Sequence, residues 1–217
     1  KYAIITVAAG DGLKDMFKEL RADYVISGGQ TMNPSTEDFV QAIHQVNAEN
    51  IFLLPNNSNI ILAAQQAASV CEDLNVEVIP SKSIPQGLSA CIMFNPDVDF
   101  DMNLAEMNDA ISMVKTGQVT YAIKDTTFEG LDIKAGDYMG LKEKDIVVSL
   151  PDKMEVTRQL LDMMIDGESE IVTLVYGEDV NEEEANEIAS YIEDKYDVEV
   201  ELNNGMQPVY SFIIGVE

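Results

Sequence analysis

The feature that most constrains this chain is a regular exchange of short apolar runs with helical patterns over residues 3–95. Ala3-Ile4-Ile5-Thr6-Val7, Tyr24-Val25-Ile26, Ile51-Phe52-Leu53-Leu54 and Val76-Glu77-Val78-Ile79 read as strands. Gly10-Asp11-Gly12 turns the first run into a helix over 13–20, with Leu13, Met16, Phe17 and Leu20 on one face. Ser35, with Asp38 three residues on, makes a capping box ahead of the stripe Phe39, Ile43 and Val46. Pro55-Asn56-Asn57-Ser58 leads into a helix over 60–73, and another helix spans 83–94. Parallel strands need crossovers of this length, so the spacing predicts an α/β lobe with a mostly parallel sheet covered on both faces.

The pattern changes after residues 95–103, a polar stretch with Pro96 and three aspartates. Helices are predicted over 104–114 and 152–165, and Asn181-x-x-Glu184 caps a third. Strands are predicted over 118–123, 137–141, 145–148, 171–176, 198–202 and 209–214, the last two joined as a hairpin across Asn203-Asn204-Gly205. The expected organisation is therefore an α/β lobe at 1–95, a linker at 96–103 and an acidic α+β lobe at 104–217.

Charge removes whole classes of function. The 217 residues carry 13 Lys+Arg against 39 Asp+Glu, a net charge of −26, so no basic stripe is available to neutralise phosphates. The imbalance is uneven: 5 basic and 12 acidic residues before residue 101, 8 and 27 from there on. At 46% hydrophobic residues in patterned runs, the chain is not a disordered acidic tail, and no apolar run reaches membrane-spanning length. No signal peptide is visible and Cys71 and Cys91 form no disulfide framework, which together predict a cytoplasmic protein with two buried thiols. The absent initiator Met leads us to expect a piece of a longer protein.

Ligands of open α/β sheets bind at the carboxyl ends of the strands. Here that edge comprises 8–12, 28–35, 55–59 and 80–87, loops rich in amides, hydroxyls and glycines that precede helix N-termini. The candidates to hold a ligand or a partner are Gln30, Thr31, Asn33, Ser35, Asn56, Asn57, Asn59, Ser83 and Gln86. The same residue types also serve as turns and N-caps. Catalytic signatures are missing. There is no dinucleotide fingerprint and no phosphate loop, and His44 is the lone histidine. Asp97, Asp99 and Asp101 alternate like a calcium loop but lack its glycine and terminal glutamate. No catalytic residue, metal ligand or cofactor site is assigned.

The stretches 28–38 (Gly-Gly-Gln-Thr-Met-Asn-Pro-Ser-Thr-Glu-Asp), 54–64 (Leu-Pro-Asn-Asn-Ser-Asn-Ile-Ile-Leu-Ala-Ala) and 81–87 (Ser-Lys-Ser-Ile-Pro-Gln-Gly) resemble the carboxy-terminal domain of bacterial fatty acid kinase. So do 114–122 and 136–140 in the second lobe. That family is also described as dihydroxyacetone-kinase-like, with a DAK2 or DhaL domain. The resemblance covers essentially the whole chain. It implies a two-lobed fold like that of the DegV-type fatty-acid carriers, and a non-catalytic role in docking a loaded carrier. An upstream domain, using ATP and Mg, would then phosphorylate the acyl carboxylate for lipid and phospholipid synthesis. Where the carrier offers serines to the head group, this chain has Asn56-Asn57. The alternative is a lipid- or carboxylate-binding module with a pocket between the lobes; the third reading is a dihydroxyacetone-kinase-like enzyme fragment. The resemblance implies the carrier and the upstream kinase domains as partners and leaves a homodimer open.

Overall fold

The computed structural model describes residues 1–29 and 32–217, which divide into two compact units, Lys1–Val114 and Lys115–Glu217. In the first, β1 (Tyr2–Ala8), β2 (Tyr24–Ser27), β3 (Asn50–Leu54) and β4 (Asn75–Val78) form a wholly parallel sheet in the order β2-β1-β3-β4. The intervening helices are α1 (Asp11–Glu19), α2 (Thr36–Val46) and α3 (Ile61–Val70), the last entered through a 3-10 turn at Ser58–Ile60. Then follow α4 (Ile84–Met93) and α5 (Phe100–Ser112).

Every residue of β1 from Ala3 onward is buried, because both faces of the sheet are covered. On one face Ala3, Ile5, Val7, Ile51 and Leu53 pack against Phe39, Ile43, Ala64 and Ala67 of α2 and α3. On the other, the Phe52 ring stacks on Phe100 at 4.5 Å and meets Phe94 edge-on at 6.1 Å. Arg21, just beyond α1, lies over Phe94 at 4.7 Å. Helix starts follow side-chain chemistry. The Ser35 hydroxyl accepts from the Asp38 N–H while the Asp38 carboxylate accepts from the Ser35 N–H, the complete box expected.

The expected division at 96–103 is not where the first unit ends. That stretch is the turn between α4 and α5 together with the start of α5, which packs along α4. Buried Asn103 locks the turn: its carboxamide accepts from the Asn95 N–H and donates to the Asn95 carbonyl, each at 2.8 Å. Asp99 caps α5 by accepting from the Met102 N–H at 2.8 Å, so its carboxylate is committed to a helix end. The polar residues read as a spacer instead close a helical corner.

The second unit holds β5 (Lys115–Tyr121), β8 (Tyr138–Lys142), β9 (Asp145–Leu150), β10 (Ile171–Tyr176), β11 (Glu199–Asn204) and β12 (Phe212–Val216) in one sheet ordered β11-β10-β12-β5-β8-β9. Only the β10–β11 pair is parallel. A small hairpin of β6 (Thr126–Phe128) and β7 (Leu131–Ile133) turns at Glu129-Gly130, both at positive φ, a signal the sequence reading passed over. Helices α6 (Lys153–Met164) and α7 (Glu182–Lys195) lay Val156, Leu160, Met164, Ala185, Ile188 and Ile192 onto the sheet. Asn181 is the expected cap of α7 and forms a box with Glu184. The carboxyl-terminal half of α6 is tied to α7 through Asp162, whose oxygens accept from the hydroxyls of Tyr191 at 2.7 Å and Tyr196 at 2.5 Å. Burial pulls the Asp162 carboxyl upward, but these hydroxyls and Lys195 outweigh it and hold it below the usual range.

The hairpin expected across Asn203-Asn204-Gly205 does not form. β11 pairs in parallel with β10, and β12 lies on the far side of β10, antiparallel to it and to β5. The Asn-Gly step instead starts a crossing loop in which the Gly205 N–H donates to the Tyr176 carbonyl at 2.9 Å. Buried Gln207 donates from Nε2 to the carbonyls of Val175 and Tyr210 at 3.3 and 3.1 Å. Opposite this loop a Cβ on Gly177 would run into the Tyr210 carbonyl and lie 2.8 Å from that of Gln207. Gly177→Ala is therefore expected to cost about 1–3 kcal/mol in chemical unfolding. Gly167→Ala, where a Cβ meets nothing within 4 Å, is expected to stay within about 0.5 kcal/mol of the parent.

Candidate functional site

The strand order β2-β1-β3-β4 reverses direction once: the chain steps from β1 to β2 on one side, then crosses back over β1 to β3 and β4. The carboxyl ends of β1 and β3 therefore flank the crevice where open α/β sheets take their ligands. Asn56, two residues past β3 and 7% exposed, fills it. Its Nδ2 donates to Thr6 Oγ1 at 2.7 Å and to the Val7 carbonyl at 2.9 Å, both on β1. Its Oδ1 accepts from Ser81 Oγ at 2.8 Å, and its own N–H donates to that oxygen at 3.0 Å. The Thr6 hydroxyl donates to the Leu54 carbonyl at 3.0 Å. Thr6 and Ser81 are fully buried. Both donors of the amide are used, its acceptor is engaged, and the two hydroxyls donate and accept within the same cluster.

Backbone shape supports this closure. Asn56 has φ 62°, a left-handed conformation that Asn tolerates better than other side chains. Gly87, in the first turn of α4, faces the amide so closely that a Cβ there would run into it. One side chain thus joins β1, β3, the β4–α4 loop and the start of α4.

The other expected residues fall into two groups. Asn57 bridges loops: its Nδ2 donates to the Gly29 carbonyl at 2.7 Å, and its Oδ1 caps the 3-10 turn by accepting from the Asn59 N–H at 2.8 Å. Ser83 caps α4, accepting from the Gln86 N–H at 3.3 Å, while Gln86 Oε1 accepts from the Lys82 N–H at 2.7 Å. Ser35 is the N-cap of α2. The side chains of Asn33 and Asn59 are exposed, and Gln30 and Thr31 lie outside the described residues. The structure therefore gathers Asn56 and Asn57 at the crevice as internal ties, and uses Ser35, Ser83 and Gln86 to begin helices.

Thr6 and Ser81 were missed. Thr6 is the one polar residue in the run Ala3–Val7, and that position was the available signal. The knot around Gln207 was missed too; its Oε1 and Ser149 Oγ are buried without a partner among the described residues.

His44 is exposed in the last turn of α2. Burial pushes the Cys91 thiol up to about 12, with Asp23 adding to the rise, and burial with Asp73 also raises Cys71. Among the described residues no three His, Cys, Asp or Glu side chains are grouped to hold a metal ion, and no helix is long and apolar enough to cross a membrane.

Residues 3–217 match the FakA-like carboxy-terminal family of fatty acid kinase, and the chain belongs to that family. It is 50% identical over 217 residues to Protein YloV of Bacillus subtilis, covering all of this chain and 39% of that protein. The chain thus spans about two fifths of the length of this relative. Among solved structures it is similar in fold to the DegV family protein Cg2579 of Corynebacterium glutamicum, with a TM-score of 0.71, 14% identity, 99% of this chain and 95% of that one. It is also similar to the fatty acid kinase B3 protein of Streptococcus pneumoniae, solved loaded with linoleic acid, with a TM-score of 0.65, 12% identity, and 100% and 99% coverage. The α/β architecture expected from the sequence is that of these DegV-like neighbours.

Asn56→Ala removes the donor to Thr6 Oγ1 and the Val7 carbonyl and the acceptor of the Ser81 hydroxyl, and forces Ala into a left-handed backbone. The expected cost is about 2–4 kcal/mol in urea unfolding. Asn59→Ala, which removes an exposed side chain, is expected to change stability by less than about 0.5 kcal/mol.

Proposed function

We propose that the chain is a non-catalytic docking module of a fatty-acid-kinase-like protein. It receives a DegV-like carrier loaded with fatty acid, so that a separate ATP- and Mg-using domain can phosphorylate the acyl carboxylate. The observation that carries this reading is the filled crevice. Among the described residues, the buried polar groups of Thr6, Asn56 and Ser81 at the crevice are saturated by one another. A ligand entering there would have to break that buried cluster, leaving polar groups unpaired. A domain with a carrier's fold and a filled head-group crevice is suited to meeting a carrier rather than replacing it. Family membership supports the kinase context, and the linoleic-acid-loaded neighbour supports a fatty-acid carrier as the partner.

Charge supplies the means of encounter. The unit Lys115–Glu217 holds 24 acidic against 8 basic side chains, and Lys1–Val114 holds 15 against 5. Such a field attracts a partner with a basic patch and acts on the association rate above all. The module is expected to bind a DegV-like carrier in titration calorimetry, with affinity falling several-fold as salt rises from about 50 to 500 mM. An affinity indifferent to salt would remove electrostatic steering, and no binding at any salt would remove the docking role. Lipid extraction and mass spectrometry of the purified chain are expected to yield no stoichiometric fatty acid. One fatty acid per chain would establish the competing reading, a lipid-binding module.

A further inference from the structure

The parallel sheet of the first unit ends at β4, a strand with a neighbour on one side only. The N–H groups of Asn75 and Ile79 donate to the carbonyls of Glu49 and Leu53 at 2.9 Å, which fixes the alternation along this strand. In a parallel ladder the main-chain groups of residues 75, 77 and 79 then face β3, and those of Val76 and Val78 face outward. Beside this open edge runs a groove of about 310 Å³, lined by Val76, Glu77 and Val78 on the strand and by Gln65, Ala68 and Ser69 on α3.

Two further features distinguish this edge. Surface helices in water normally present charges outward, yet α3 contains none and exposes Leu62 and Val70, each at 64%. In a chain of net charge −26, an exposed helix flank without a single ion is suited to being covered by another protein. The rim is acidic. Glu72 and Asp73 stand in the turn before β4, Glu77 is exposed on the strand, and Glu49 precedes β3 beside it. No Lys or Arg occurs between Arg21 and Lys82 to offset them.

We propose that the β4 edge and its groove receive an extended segment of a protein partner carrying basic side chains, which adds a fifth strand to the sheet. Its main chain would pair with Val76 and Val78, its alternate small or apolar side chains would enter the groove beneath α3, and its Lys or Arg side chains would meet Glu77 and the Glu72–Asp73 turn. The rim also selects against a second copy of this chain, because two such edges would oppose carboxylate to carboxylate. The proposal is independent of the carrier reading, since an extended basic segment on any protein satisfies it.

The test uses the 217-residue chain and a short capped peptide alternating Val with Lys, against a control with Glu in place of Lys. Amide hydrogen exchange followed by NMR is expected to slow about tenfold or more at Val76 and Val78 with the Lys peptide and to be unchanged with the Glu peptide. Val78→Pro removes an outward donor where an edge strand tolerates proline, and is expected to abolish binding while the chain still folds, with a midpoint lowered by the lost packing of Val78 on the core. Should that variant fail to fold, Glu77→Lys, at an exposed position, decides the matter and is expected to weaken binding about fivefold or more. Equal binding of the two peptides, no protection at Val76 and Val78, or undiminished binding to whichever variant folds would overturn the proposal.

Discussion

The first unit depends on the hydrogen bonding of one carboxamide. A parallel sheet assembled from distant segments has no hairpins to set its strands in register, so something must tie the crossing point. Asn56 performs this tie, joining side-chain and main-chain atoms of β1 to the β4–α4 loop from its place at the end of β3. Its left-handed backbone and the absent Cβ of Gly87 are what allow the amide to lie there. Such a cluster rigidifies when every member is satisfied and is expensive when one is removed, because a low-dielectric interior magnifies both states.

That economy shapes the reading of function. Open α/β sheets take ligands where the strand order reverses, between β1 and β3, and here Asn56 occupies that crevice from within. The surfaces proposed to meet partners are therefore exterior: an acidic second unit and, in the first, an uncharged helix beside an open strand. These surfaces act at different ranges. The acidic field works over roughly a Debye length, about 8 Å at physiological salt, whereas strand pairing and groove filling require contact.

Much of the architecture was legible in the sequence because it rests on local chemistry. The box at Ser35–Asp38 and the helix cap at Asn181-x-x-Glu184 were foreseen from spacing alone, and the strand at Ile171–Tyr176 carries its expected limits. Pairing was less legible, because it is a long-range choice. Asn204-Gly205 has the composition of a tight hairpin turn, yet β11 satisfies its main chain on β10 and the loop leads across to β12. The 96–103 stretch misled for a similar reason, since its amides and aspartates are spent on a helical corner. At the candidate site the sequence puts two amides, Asn56 and Asn57, at the strand edge. Sequence does not say which way an amide points. Only the positions of Thr6, Ser81 and Gly29 show that both face inward.

The order β11-β10-β12-β5-β8-β9 has a consequence for how the second unit is made. Its latest strand in sequence is an interior one, bonded on both sides, so the five strands synthesised earlier form two separate ribbons, β10–β11 and β5–β8–β9. During synthesis both ribbons must wait with an open edge until Phe212–Val216 arrives to close the gap. The unit therefore completes its sheet only once β12 has been made. In that interval the inner edges of β5 and β10 are open to mispairing, and the chain's high net charge opposes aggregation.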